Sequence, residues 1–184
     1  MSELNFNAKN IEKAIQNIQR SSFDEAIKLL ENNIKNNAED FRSYYVLGTL
    51  YLQLRKLDLA EVNLKKALNI KQDLFEASHN LGLVFNFKKN FDEAKNLFFQ
   101  VLKIRPNNIQ TLIELGKNYE IAKNFSEARK YYERILDIDK NNRLANSLIG
   151  NMLINTGYHN DGLKYLKKAT GLIRFNENDY QILK

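Results

Sequence analysis

Residues 41–74 read FRSYYVLGTLYLQLRKLDLAEVNLKKALNIKQDL, and residues 75–108 read FEASHNLGLVFNFKKNFDEAKNLFFQVLKIRPNN. Placed one above the other without a gap, they agree in a Leu-Gly pair (Leu47-Gly48, Leu81-Gly82) and in an aromatic residue shortly after it (Tyr51, Phe85). They also agree in a later alanine, Ala60 and Ala94. Extending the 34-residue frame brings in Leu115-Gly116 and Ile149-Gly150, then Tyr119 and Leu153, then Ala128 and Gly162, with Ala26 upstream. A large apolar column reads Leu30, Leu64, Phe98, Tyr132 and Leu166. A period of this length marks a repeat architecture in which each unit is one supersecondary element. The units run 41–74, 75–108, 109–142 and 143–176; a divergent unit over 8–40 and an extension over 1–7 precede them, and a tail or short cap over 177–184 follows.

Each unit reads as two helices. Tyr44, Leu47, Gly48 and Tyr51 stand at i, i+3, i+4 and i+7, one face of a helix. Small residues at fixed sites let two helix backbones come close. The second helix is expected to begin at the column Asp24, Asp58, Asp92, Ser126 and Asn160, all residue types that cap helix N-termini. Glu25, Glu93, Glu127 and Asp161 follow, setting negative charge at the positive end. The connections between units are polar and Asn-rich, and the single proline, Pro106, falls in one of them. In the first unit Ile11, Ala14, Ile15 and Ile18 lie one residue late, which predicts a turn shortened by one residue. The fold class is all-α, ten main helices in five antiparallel pairs.

This pattern resembles the tetratricopeptide repeat family, most strongly over 41–176. Departures are Tyr44, Ser78, Leu112 and Asn146 in the family's tryptophan column, and Gly162 in place of the packing alanine. The resemblance implies a right-handed α-solenoid of about five repeats whose concave groove, lined by first-helix residues, binds a polypeptide segment. Carried onto this chain, the groove takes Arg42, Tyr45, Thr49 and Gln53 from the second repeat. The third supplies Glu76, His79, Asn80, Leu83, Asn86 and Phe87. The fourth supplies Gln110, Ile113, Glu114, Lys117, Glu120 and Ile121, and the fifth Ser147, Asn151, Ile154 and Asn155. Amides would hydrogen-bond an extended peptide backbone while Tyr45 and Phe87 supply apolar contact. Some relatives clamp the C-terminal carboxylates of chaperones with Lys, Arg and Asn. The matching positions here read Tyr45, Thr49, Asn80, Gln110 and Glu114, of which only Asn80 fits, so a chaperone carboxylate-clamp ligand is not expected.

The net charge of +6 raises nucleic acid as a partner. Lys28, Lys65, Lys66, Lys95, Arg129, Lys130, Arg134, Lys164, Lys167 and Lys168 recur on the second helices, but Glu31, Glu61, Glu133 and Asp137 are interleaved with them. Mixed-sign helix faces are usually solvated, so nucleic-acid binding ranks behind protein binding. With no cysteine, two histidines and no glycine-rich phosphate loop, neither a metal site, a cofactor nor a catalytic constellation is expected. His159 stands in a column otherwise filled by Phe23, Leu57, Phe91 and Phe125 and is expected to pack. No apolar stretch has the length of a membrane span, and the start of the chain lacks the charge and apolar pattern of a secretory signal, so the expected location is the cytoplasm. Around Ala169, Leu172 and Ile173 the last helix is expected to need cover, from Tyr180, Ile182 and Leu183 folding back, from an end-to-end homodimer, or from a further domain. The resemblance offers one other role, a recruiting arm of a transferase or oxygenase.

Overall fold

The computed structural model describes residues 3–170, 173–176 and 179–182, with side chains over 7–170. The chain divides into two compact units, Met1–Ile104 and Arg105–Lys184. In the first unit lie α1 (Glu3–Gln19), α2 (Phe23–Asn36), α3 (Phe41–Gln53), α4 (Leu57–Ile70), α5 (Phe75–Phe87) and α6 (Phe91–Ile104). In the second lie α7 (Ile109–Ile121), α8 (Phe125–Ile138), α9 (Arg143–Asn155), α10 (His159–Thr170), β1 (Ile173–Asn176) and β2 (Asp179–Ile182). Within the first unit each odd-numbered helix packs on the next helix, each even one packs on the following odd one, and α3 touches both α1 and α5.

The glycine columns explain the pairing distance. A Cβ on Gly48 would meet Leu64 Cγ at 2.8 Å, and one on Gly82 would meet Phe98 Cε1 at 2.5 Å. Gly116 faces the ring of Tyr132 in the same way. Leu64, Phe98 and Tyr132 are fully buried, so the large residue of each second helix fills the space that the first helix leaves by having no side chain. The last pair goes further: a Cβ on Gly162 would lie 2.7 Å from the Gly150 carbonyl oxygen. That close backbone approach accounts for glycine where the other second helices carry alanine.

All five turns within the helix pairs share one geometry. Ser21, Arg55, Lys89, Lys123 and Gly157 take positive φ, between 57° and 91°. Each donates its N–H three residues back, and the next residue donates five back, for example Lys56 N–H to Tyr51 O at 2.9 Å and Ser22 N–H to Asn17 O at 2.8 Å. This is the Schellman ending, which satisfies the last carbonyls of the first helix. The first turn is therefore not shortened, contrary to the sequence expectation. Ala14 sits 34 residues before Gly48, and polar residues replace apolar ones around it. Asn33, fully buried, accepts from Asn10 Nδ2 at 2.9 Å and donates to the Asn7 carbonyl at 3.0 Å and Ser43 Oγ at 3.3 Å. Ser43 in turn donates to Asp40.

The capping expectation is also corrected. The second helices begin one residue before Asp24, Asp58, Asp92, Ser126 and Asn160, so these residues lie in the first turn and the capping position is two residues upstream. The acids there interact with the helix dipole. Of the second helices α8 has a side-chain cap, Asn124 accepting from the Glu127 N–H, while Asn108 and Asn142 cap the first helices α7 and α9 by accepting from the N–H of Thr111 and Ala145. At the C-terminal end α10 stops at Thr170, and β1 pairs antiparallel with β2, Ile173 opposite Ile182. Residues 173–176 thus leave the helical pattern, in keeping with their β-branched and aromatic content. Ala169 is buried. The expected lid or dimer contacts of Leu172, Ile173, Tyr180, Ile182 and Leu183 lie outside the residues whose side chains are described.

Candidate functional site

In the first unit α1, α3 and α5 lie side by side through α3. On α3, Arg42, Tyr45, Thr49 and Gln53 follow helical spacing; on α5, Glu76, Asn80, Leu83 and Phe87 do the same. Three of these residues join the two helices. Asn80 Nδ2 donates to Thr49 Oγ1 at 2.9 Å, and the Tyr45 hydroxyl lies beside both side chains. Burial raises the Tyr45 phenol above its ordinary value; the neighbouring Thr49 side chain opposes this, and the nearby Glu76 carboxylate adds to it. Tyr45, Thr49, Asn80 and Glu76 are all half-buried, so the cluster is open to solvent while its geometry is fixed.

Charge and apolar surface flank it. Arg42 is turned to Asp40, Nε to Oδ1 3.9 Å, with its guanidinium near the Phe41 ring. No cation among the described residues lies within ion-pair range of Glu76. Phe87 is 46% exposed, its ring under the Arg55 guanidinium at 3.8 Å. Leu83 and Asn86 are half-buried, and Gln53 is exposed. His79 is half-buried with its ring tilted against Phe98, 5.6 Å between centroids, so it also serves the packing of α5 on α6.

Two sequence models of the tetratricopeptide repeat match the chain, over residues 41–74 and 73–141, together more than half its length. The chain belongs to the tetratricopeptide repeat family. No curated protein matches it in sequence. Among solved structures it is similar to MamA from Desulfovibrio magneticus RS-1 (19% identity, 90% of this chain and 94% of that one, TM-score 0.82). It is also similar to a further MamA crystal structure (21% identity, 86% and 92%, TM-score 0.78) and to MamA MSR-1 (22% identity, 90% and 95%, TM-score 0.72). At these identities the likeness is one of fold: all-α tetratricopeptide helix pairs.

The tetratricopeptide positions of the second unit differ in character. Ile113 is buried, 8% exposed. Glu114 pairs with Lys117 at 2.8 Å. Glu120 accepts from the buried Tyr132 hydroxyl, and burial first, then this bond, pushes the Tyr132 phenol well above its ordinary value. Gln110, Ile121, Asn151 and Asn155 are exposed, and Ser147 and Ile154 are half-buried. Buried amides escaped the sequence reading. Asn118 occupies the column of Leu50, Val84 and Met152, and Asn146 that of Tyr44 and Leu112; both are buried. Asn118 Nδ2 and Asn146 Oδ1 have no hydrogen-bond partner among the described residues.

His159, expected to pack, is exposed at the start of α10. Five of the ten basic residues named on the second helices are paired along their own helix: Lys65 with Glu61, Lys95 with Asp92, Arg129 with Glu133, Lys130 with Glu127 and Lys164 with Asp161. Among the described residues no three His, Asp or Glu side chains are grouped to hold a metal ion, and no helix is long and apolar enough to cross a membrane.

Proposed function

We infer that the chain is a protein-interaction scaffold, a reading that the family and its repeat fold support. We propose that the face formed by α3 and α5 is the working surface, and that it holds a segment of another polypeptide in the cytoplasm without catalysis of its own. The observation that carries this reading is the Tyr45–Thr49–Asn80 cluster, which fixes hydrogen-bonding groups beside the exposed ring of Phe87. Preset polar groups next to apolar surface are what an extended backbone with alternating side chains requires. Ion pairing along the second helices favours this face over a basic nucleic-acid surface.

The test compares capture by the native chain with capture by the double variant Tyr45→Ala, Asn80→Ala and by Lys65→Ala, Lys66→Ala, at moderate salt and with nuclease. Loss of a polypeptide with the first variant alone supports the face. Loss with the second variant, or with nuclease, assigns the function to the second helices.

A further inference from the structure

The chain as a whole is basic, but of the positive residues named at the α3–α5 face Arg42 is turned to Asp40 and Arg55 lies over the Phe87 ring. Asp40 is 6% exposed, so its attraction for Arg42 is the better-buried one. Glu76 is left half-buried, beside Tyr45 and without a cation in range among the described residues. It stands in the first turn of α5, where the helix dipole offsets part of its desolvation. That placement is not a device repeated along the chain, because α3, α7 and α9 carry no acid in their first turns. A partly desolvated carboxylate with an open side gains from a ligand cation more than a solvated one does.

Around it stand oxygen acceptors. Asn80 uses its amide N–H₂ on Thr49, which leaves its Oδ1 as an acceptor; the hydroxyls of Tyr45 and Thr49 lie in the same cluster. An ammonium carries three donors and a guanidinium five, so carboxylate plus amide and hydroxyl oxygens match such a group. Farther along the helix the surface turns apolar. Leu83 lies seven residues past Glu76, roughly 10 Å along the axis. Phe87 lies one turn beyond it, 46% exposed. In an extended segment roughly 10 Å is about three residues.

We propose that the segment taken up by this face carries a lysine or arginine that seats against Glu76 and, about three residues away, an apolar side chain that covers Leu83 and Phe87. This rests on reading the α3–α5 face as a polypeptide site and names the chemistry of the occupant. It is the reverse of the carboxylate-binding arrangement, whose basic residues are missing here.

The experiment uses the full chain and fluorescein-labelled Ser/Gly peptides of about 12 residues, followed by fluorescence anisotropy at low salt. One peptide carries Lys and, three residues on, Leu and Phe; its counterparts replace the Lys with Gln or with Glu. The Lys peptide is expected to bind about fivefold more tightly than the Gln peptide and tenfold or more above the Glu peptide. Glu76→Gln, nearly isosteric, removes that preference, and Glu76→Lys reverses it. Equal binding of Lys and Gln peptides, or a preference unchanged in Glu76→Gln, overturns the proposal. If the peptides bind regardless of charge but fail on Tyr45→Ala and Phe87→Ala, the face remains the polypeptide site and only its cation preference falls. Binding that is absent, or indifferent to Tyr45→Ala and Phe87→Ala, sinks both.

Discussion

At Gly48, Gly82, Gly116 and Gly150 a side chain would enter space already held by Leu64, Phe98, Tyr132 or Leu166, whereas at Ser21, Arg55, Lys89, Lys123 and Gly157 the backbone itself takes the left-handed conformation. Both columns recur every 34 residues, yet glycine fills every place in the first from the second repeat onward and only one in the second. The difference lies in magnitude. A left-handed residue with a Cβ costs on the order of 1–2 kcal/mol, and the two Schellman bonds at each turn hold the conformation regardless. Overpacking a close helix contact forces ring and backbone to move, and typically costs about 1–3 kcal/mol or more. Steric exclusion fixes the residue type here; conformational preference only biases it.

The sharpest way to break this comparison is Gly116→Ala. Its new methyl would enter the buried ring of Tyr132, and a loss of about 3 kcal/mol in urea unfolding is expected. Gly157→Ala, where nothing lies within 4 Å, should lose only about 1 kcal/mol through its φ of 91°. Equal losses would mean that the close approach is not what retains glycine. Gly162→Ala comes next, at about 2 kcal/mol, because one of the atoms in its way is the Gly150 carbonyl, which cannot swing aside as a side chain can. The converse substitutions, Lys89→Gly and Lys123→Gly, should raise stability by about 1 kcal/mol each, since they relieve a left-handed residue while the turn bonds stay. A fall in stability there would show that these side chains contribute more than their backbone costs.

What could be read from the sequence follows the same division. The glycine and large-apolar columns were legible because no other residue fits, and they give the helix pairs and the fold. The turn column was silent, since Ser, Arg, Lys and Lys do not announce a positive φ. Caps were misplaced because an aspartate serves a helix start both as a cap and, one or two residues inside, through the dipole. Asn146 stood in the tryptophan column and Asn118 carried no signal at all, and only packing reveals that both amides are buried. On the candidate face, position alone put Arg42 and Glu76 one repeat apart in the same column; the turning of Arg42 toward Asp40, which leaves Glu76 open, depends on side-chain conformations that spacing does not encode.

The smallest effect concerns the wall of the Gly116 contact. The Tyr132 phenol is raised by burial first, then by its bond to Glu120 and the charges of Glu120 and Glu114. In the folded chain it stays protonated where the unfolded chain ionises, near the ordinary tyrosine value of about 10. The unfolded state then holds fewer protons than the native one, so this group lowers stability as pH rises through that value and contributes nothing well below it. The loss is about 0.4 kcal/mol at pH 10 and approaches about 1.4 kcal/mol per further pH unit. Tyr132→Phe also loses the bond to Glu120, which lowers stability at every pH. Its own signature is a difference from the native chain that narrows between pH 9 and 10.5 in urea unfolding. Tyr45, Tyr51 and Tyr131 are raised as well, so part of the alkaline slope must survive in the variant. A difference that stays constant across that range would mean that the Tyr132 ring is wetted in solution, and a wetted ring could yield to a methyl at Gly116 at far less than the loss expected above.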